Sequence, residues 1–249
     1  MAPFPPGLAD HLAAGRFGEV TLVTVEGLTD DEKAVVPAWF VDVLAHDGPD
    51  GVIAATNHWQ SVVPGLLDDA AELFRDLAAG IYLGREMRLR GALVLIYVLR
   101  SESRPFICWY GYLPTDHLDN RSPKPEMRPG EKVDLTQVSG ELRAFYTQVH
   151  NWFCLVGLGE CGLPPLNELF TLDGDSSDYE YWDQEGNDYH GRHPEPDQLL
   201  PVFISSNGNL CVELDTENAW EQDDSIIEPV GELWPSLNAW IRRFTEELC

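Results

Sequence analysis

The stretch PVFISSNGNLCVELD, residues 201–215, decides the fold of the second half of this chain. Apolar residues flank a polar centre, and Asn-Gly at 207–208 is a strong signal for a hairpin turn. The pattern predicts two strands, over 202–204 and 210–214, joined across Ser205–Asn209. A third strand is expected at 225–230, so this part of the chain is predicted to build an antiparallel sheet.

Helical periodicity surrounds the hairpin. Residues 232–248 place apolar side chains on one stripe and predict a closing helix. Residues 135–153 also carry apolar side chains at helical spacing and predict a helix before the sheet. These two sets are Leu233, Leu237, Trp240, Ile241 and Phe244 in the first, and Leu142, Phe145, Tyr146, Val149 and Phe153 in the second.

The first half of the chain predicts its own helices and strands. Thr29 and Glu32 form a capping box for a helix that runs to about residue 45, with Pro37 marking a later start or a kink. Alternation and periodicity predict the other elements. These are a short helix over 8–14, a strand over 19–25, an amphipathic helix over 66–79, and a hairpin of strands 92–99 and 106–113.

A proline-rich and charged segment separates the two halves. Residues 116–131 carry Pro123, Pro125 and Pro129 without apolar periodicity, which is typical of a linker or a long surface connection. The sequence therefore predicts a domain over residues 1–130 and a second one over 131–249. The fold class is α+β, an antiparallel sheet with flanking helices.

Net charge is the strongest compositional signal. Forty-two acidic against sixteen basic residues among 249 give a formal charge of −26. A surface this negative repels nucleic acid and anionic lipid and favours a basic protein partner. Residues 1–130 hold 18 acids and 11 bases, a net of −7, whereas residues 131–249 hold 24 acids and 5 bases, a net of −19. Acidity that serves solubility alone is the alternative.

Targeting and disulfide signals are missing from the sequence. The start, MAPFPP, lacks a basic segment followed by an apolar run, and the longest apolar stretch, 91–99, is too short to span a bilayer. We therefore expect a cytoplasmic protein without membrane association. Five cysteines without a CxxC spacing indicate reduced, mostly buried thiols.

An acidic loop with aromatic residues is the best candidate for a partner site. Rings bury area while carboxylates pair with Arg and Lys, so the mixture suits a basic protein surface. A solvated loop is the alternative. A second acidic group surrounds Trp220. It follows a predicted strand, so we expect it at one edge of the sheet. We hypothesise that the two acidic groups form one face. The candidate residues are Asp175, Asp178, Tyr179, Glu180, Tyr181, Trp182, Asp183, Glu217, Trp220, Asp223 and Asp224.

Motifs for catalysis, metals and cofactors give no positive prediction. GxSxG, P-loop and HExxH patterns are missing, so no catalytic residue is assigned. The glycines at 157, 159 and 162 follow a predicted helix, not the strand–turn–helix of a nucleotide site. Residues 173–178 lack the full calcium-loop spacing, and His190 and His193 with Glu195 resemble ordinary surface residues. We expect neither a metal nor a cofactor. The Arg85, Arg88 and Arg90 group predicts a solvated face, with pairing to acids as the alternative.

The second half resembles the SUKH (SMI1/KNR4-like) family. Residues 141–146 are similar to its first helix, GLPPLNEL at 162–169 to the turn that follows, residues 201–215 to its paired strands and residues 234–244 to its last helix. Residues 1–130 carry no such resemblance, and a degenerate second copy there stays open.

The resemblance implies binding rather than catalysis. Bacterial members are mostly immunity proteins that neutralise toxins, often nucleases or deaminases, which here would be a basic toxin domain. The alternatives are a carboxylate-dependent hydrolase and a regulatory scaffold of cell-wall signalling. A deep pocket with a perturbed carboxylate would favour the hydrolase, and an open acidic face would favour the binder. The oligomeric state is not predicted.

Overall fold

The computed structural model describes residues 4–13, 20–89, 91–114, 130–156, 161–174 and 176–247. Within them, seven α-helices cover α1 Leu8–Ala13, α2 Asp30–Val35, α3 Ala38–Leu44, α4 Pro49–Val62, α5 Asp68–Asp76, α6 Gly140–Ala144 and α7 Leu233–Glu246. The strands in this part of the chain are β1 Val20–Val23, β2 Ala78–Glu86, β3 Ala92–Leu99, β4 Ile107–Tyr112, β5 Phe153–Val156, β6 Cys161–Leu163, β7 Glu180–Tyr181, β8 Leu199–Ser205, β9 Gly208–Glu213, β10 Asn218–Asp223 and β11 Ile226–Glu232.

These strands form one sheet in the order β1-β2-β3-β4-β5-β6-β8-β9-β10-β11-β7. Every neighbouring pair is antiparallel except β11 and β7, which are parallel. The mixed α/β class with a large, mostly antiparallel sheet and flanking helices is therefore confirmed. β4 pairs with β5 across the predicted domain boundary. The division into 1–130 and 131–249 stays a prediction, and the two segments share this sheet.

The sheet has helices on one face and two smaller layers on the other. Helices α3, α4, α5 and α7 pack on the face that carries Leu95, Tyr97 and Trp109, and together they form the largest core. Because side chains alternate along a strand, Val94, Ile96 and Val98 face the other way and pack with α1. Each residue of β3 is buried, which explains why its sequence is an unbroken apolar run.

Two polar side chains of α7 connect it to the first half of the chain. The Oδ1 atom of Asn238 accepts a hydrogen bond from the backbone N–H of Ala70 at 3.0 Å, and its Nδ2 donates to the Leu66 carbonyl. Since α5 lacks a side-chain cap of its own, Asn238 supplies the cap from a distant helix. Thr245 accepts a bond from Trp109 Nε1 at 3.1 Å. The closing helix is thus fixed to both halves.

Several predicted elements match the structure, and the departures have identifiable causes. The capping box of Thr29 and Glu32 is present, but the predicted helix to residue 45 is two helices separated at Pro37. The predicted helix over 135–153 is wrong at both ends: α6 begins at Gly140, a π-helical turn runs to Val149, and Phe153 begins β5. Phe153 shares the helical spacing by coincidence, because its ring packs from a strand.

Gly162 lies in β6, which pairs with β5, whereas Gly157 and Gly159 lie outside the described residues. A Cβ on Gly162 would lie 2.2 Å from the Phe153 carbonyl oxygen, so glycine lets the two strands approach. The prediction of a helix directly before this segment is wrong, because β5 ends at Val156. That these glycines bind no nucleotide stays a prediction.

Arg85 pairs with an acid instead of pointing into solvent. Its guanidinium contacts both carboxylate oxygens of Glu32 at 2.6 and 2.7 Å and donates to the Gly27 carbonyl. The side-chain hydrogen bond from Arg85 lowers the pKa of Glu32 to about 2. The alternative of pairing is therefore correct for Arg85, which fastens α2 to β2. The side chain of Arg88 and all of Arg90 lie outside the described residues.

Candidate functional site

The acidic loop is docked onto the end of the sheet. β7 pairs with the first two residues of β11, with Glu180 opposite Ile226 and Tyr181 opposite Ile227. The Glu180 amide donates to the Ser225 carbonyl at 2.8 Å, and the Trp182 amide donates to the Ile227 carbonyl at 3.0 Å. The loop is therefore fixed next to the turn between β10 and β11.

The aromatic residues of this loop point inward. Tyr179, Tyr181 and Tyr189 are half-buried and pack around Trp220, which is only 4% exposed, on the sheet face opposite α7. The Tyr181 hydroxyl donates to the Pro194 carbonyl at 2.7 Å, and its ring stacks on His193 at a centroid distance of 4.1 Å. Burial raises the pKa of Tyr181 to about 12. These rings hold the loop on the sheet, and the predicted role of Tyr179 and Tyr181 in binding a partner stays a prediction.

Carboxylates occupy the outer side of the same region. Asp178, Glu180, Asp223 and Asp224 are exposed, and the pairing of β7 with β11 brings Glu180 beside the turn that carries Asp223 and Asp224. We call these four residues the acidic face. The two acidic groups therefore lie near each other at this end of β10, and the hypothesis that they form one face for a partner stays a prediction.

Two predicted residues lie away from the acidic face. Glu217 is exposed at the opposite end of β10, about 20 Å from Asp223 at ~3.3 Å per strand residue. Trp220 lies between them, under the loop. The acidic group around Trp220 was expected at an edge of the sheet, but β10 lies between β9 and β11. Their partner-binding role stays a prediction.

Asp183 builds the loop itself. Its carboxylate accepts hydrogen bonds from the backbone amides of Glu185 and Asn187, both at 2.9 Å. The hydrogen bond from the Asn187 amide is the main cause that lowers its pKa. The half-buried Trp182 forms a β-bridge with Asp188, which closes the same turn. Asp175 lies outside the described residues.

Two further acids of the group around Trp220, Glu213 and Glu221, are less exposed than those of the acidic face. Glu213 is 5% exposed, contacts Arg192 at 3.0 Å and accepts a bond from Asn218. Glu221 lies opposite Glu228, and its pKa is raised first by burial and further by Glu228, while Arg243 opposes this shift. Glu221 is thus a perturbed carboxylate, but Arg243 places it on the α7 side of the sheet.

His150 forms a buried hydrogen-bonded chain in the main core. Its Nδ1 lies 3.1 Å from the Tyr112 carbonyl, which can only accept, so Nδ1 carries the proton. The Tyr97 hydroxyl lies 2.7 Å from Nε2 and donates to it, while the Tyr97 oxygen accepts from Trp59 Nε1. These residues are at most 2% exposed, so the chain organises the core and gives a substrate no access.

Acid is expected to destabilise the protein through His150. Burial is the main cause that lowers the pKa of His150 from 6.5 to about 3, so the unfolded chain binds its proton more tightly than the folded protein. The contribution of the neutral His150 to the free energy of unfolding is fully present above pH 6.5. It is lost as the pH falls from 6.5 toward the folded-state pKa of about 3. Between pH 7.5 and 5.5 we expect a loss of about 1 kcal/mol. Urea unfolding of the wild type and His150→Gln measures it.

The His150→Gln variant serves as its own control in that measurement. It is less stable at every pH, but it lacks the titrating group, so its stability should change less between pH 7.5 and 5.5. Parallel curves for the two proteins would show that other groups cause the pH dependence.

The described part of the chain holds neither a metal-binding cluster nor a membrane-spanning helix. No three or more His, Cys, Asp and Glu side chains there are arranged to hold a metal ion. The helices in the same residues are too short or too polar to cross a membrane. No protein-family model, no curated protein and no solved structure matches the chain. The resemblance to the SUKH family stays a prediction.

Proposed function

We propose that this protein is a non-catalytic acidic binding protein that neutralises a basic toxin domain, of nuclease or deaminase type, by direct contact. The observation that carries the proposal is the acidic face, in which a docked loop brings exposed carboxylates beside those of the turn between β10 and β11. A partner would not have to order this loop on binding, and ordering is a main cost of association for loop-based sites.

The physical role of the acidic face is electrostatic. Carboxylates concentrated at one place attract a basic surface over about one Debye length, ~8 Å at physiological salt, and raise the association rate. Charge complementarity also rejects acidic competitors. Since the rings of the loop pack inward, the proposed contact relies on charge more than on aromatic anchors.

The immunity role rests on the resemblance of the second half to the SUKH family. Four cysteines in the described residues, Cys108, Cys154, Cys161 and Cys211, are buried and form no disulfide. Reduced thiols support the cytoplasm as the compartment in which binding takes place. Neither a nucleic acid nor a membrane is proposed as the partner, because the net charge of −26 repels both.

Reversal of two charges should abolish neutralisation. Glu180 and Asp223 are exposed, and neither side chain has a hydrogen bond that builds the loop, so Glu180→Lys with Asp223→Lys should leave folding intact. Asp224 is unsuitable because its φ of 53° disfavours a long side chain. The product of the neighbouring gene is expressed with and without this protein, and growth is measured. Wild type should restore growth, and the double variant should bind at least about tenfold more weakly and fail to restore it.

A control with the same change of charge separates the site from the net charge. Asp42→Lys with Glu72→Lys alters two exposed acids on α3 and α5, away from the acidic face. This variant should restore growth as wild type does. Equal loss in both variants would mean that only the net charge matters, and a neighbour that is harmless when expressed alone would contradict the immunity proposal.

A further inference from the structure

The two ends of the sheet differ in how their backbone groups are used. At the acidic end, β7 covers only the first part of β11, and Pro229 follows, which has no N–H to offer. The Pro229 carbonyl accepts a hydrogen bond from Gln184 Nε2 at 3.0 Å. A short strand, a proline and a side-chain cap are devices that stop another chain from pairing with a sheet edge.

The opposite end lacks the proline and the side-chain cap. β1 has the sequence VTLV, with neither charge nor proline, and Thr21 in its centre is exposed. Its backbone pairs with β2 along one side, and in the described part of the chain its other side has no hydrogen-bond partner. β-Branched residues with free backbone groups form an edge that favours pairing with another strand.

Exposed apolar side chains lie at both ends of β1. Met87 is 56% exposed and directly follows Glu86, which pairs with Val20 at the start of the strand. Phe4 is 36% exposed and lines a small cavity together with Val23 at the end of the strand. Five large apolar residues are exposed in the described residues, and two of them flank this one short edge.

We propose that β1 pairs with β1 of a second copy of this chain across a two-fold axis, which continues the sheet through the dimer. An antiparallel pairing places the end of each strand beside the start of the other. Phe4 of each copy would then meet Met87 of the other, so the surface is complementary to itself, as a two-fold interface requires. A sulfur–aromatic contact adds to the apolar area buried.

The distribution of charge favours this dimer over a pairing through the acidic end of the sheet. The acidic face lies on β10, β11 and β7, at the far end of the strand order, and β7 is ten strand spacings from β1, or about 48 Å along the sheet at ~4.8 Å each. That path along the sheet is several times the Debye length of ~8 Å. Pairing through β1 therefore leaves the acidic faces free at the two far ends of the dimer.

The test is sedimentation equilibrium of the full chain between 1 and 300 μM, in 0.15 M and 0.5 M NaCl, with hydrogen exchange at both ends of the concentration range. We expect the mass to double with concentration, and the dimer to form over a similar concentration range in 0.15 M and 0.5 M NaCl, because the acidic faces lie beyond the range of screened repulsion. Amides of Val20–Val23 should exchange more slowly in the concentrated sample. Met87→Lys should raise the dissociation constant at least tenfold.

A matched variant keeps the proposal falsifiable. Ile53→Lys replaces an exposed apolar residue of α4 by the same charge, and it should leave the dimer unchanged. A monomer at every concentration would overturn the proposal. A dimer that Met87→Lys leaves intact, or one that forms without slower exchange at Val20–Val23, would overturn it as well.

Discussion

Gly111→Ala is expected to lower the free energy of unfolding by about 4 kcal/mol, from overpacking of ~1–3 kcal/mol and the loss of His150 hydrogen bonds. A Cβ at this position would lie 2.2 Å from Cε1 and 2.4 Å from Nε2 of His150. The imidazole cannot retreat, since it stacks at 5.4 Å on Phe153, which pairs with Gly111 across β4 and β5. Urea unfolding monitored by tryptophan fluorescence gives the value.

A double-mutant cycle identifies the clash as the cause. His150→Ala removes the ring, so adding Gly111→Ala to it should cost at least 1 kcal/mol less than in the wild type. Gly140→Ala is the control for a glycine with room, because its Cβ would meet only Arg143 Nη2 at 4.0 Å. Additive effects of Gly111→Ala and His150→Ala would contradict the proposed packing.

Local signals in the sequence predicted the elements that depend on neighbouring residues. The hairpin of β8 and β9 forms where Asn207-Gly208 indicated a turn, and the apolar stripe of α7 is buried. The capping box at Thr29 is present because its two partners are three residues apart. Such features need no knowledge of the distant chain.

Elements that depend on distant contacts were missed. β2 was not predicted as a strand, because its first residues were assigned to the end of the helix over 66–79 and its last ones to the arginine group. The alternation of large apolar and polar residues that indicates a strand is interrupted in β2 by Gly80 and Gly84. The helix α4 was not predicted, although Pro49 at its start is a helix signal. The packing of Tyr179, Tyr181 and Tyr189 on Trp220 was also not predicted, because only the sheet face behind the loop reveals it, and the partner-binding role of the aromatic residues stays a prediction.

The sequence therefore predicted which kinds of residue the candidate site contains, but not how they are arranged in space. Acidic residues are visible in the sequence, and the structure brings part of them together through the pairing of β7 and β11. Nothing in the sequence distinguishes Asp183, which builds a turn, from Glu180, which is exposed. In the sequence, a carboxylate whose hydrogen bonds reach a residue four positions away looks the same as one whose strand pairs with residues 46 positions away.

Asn238→Ala is expected to lower the free energy of unfolding by about 3 kcal/mol, because a buried cap and a buried hydrogen-bonded amide are lost together. Asn238 is 7% exposed, and its removal leaves the Ala70 N–H and the Leu66 carbonyl without this partner. Arg242→Ala, on the exposed side of the same helix, should change stability by less than about 0.5 kcal/mol.

The shape of the unfolding curve in Asn238→Ala also tests the predicted domain boundary. Asn238 belongs to the second half and caps α5 in the first half, and the main core includes residues from both. If the halves fold as one unit, the variant should show one transition, shifted for fluorescence and circular dichroism alike. Hydrogen exchange at α5 should then accelerate together with exchange in α7. Two separate transitions, with only one displaced, would support independent domains at 1–130 and 131–249 and contradict the cooperative coupling expected from this cap.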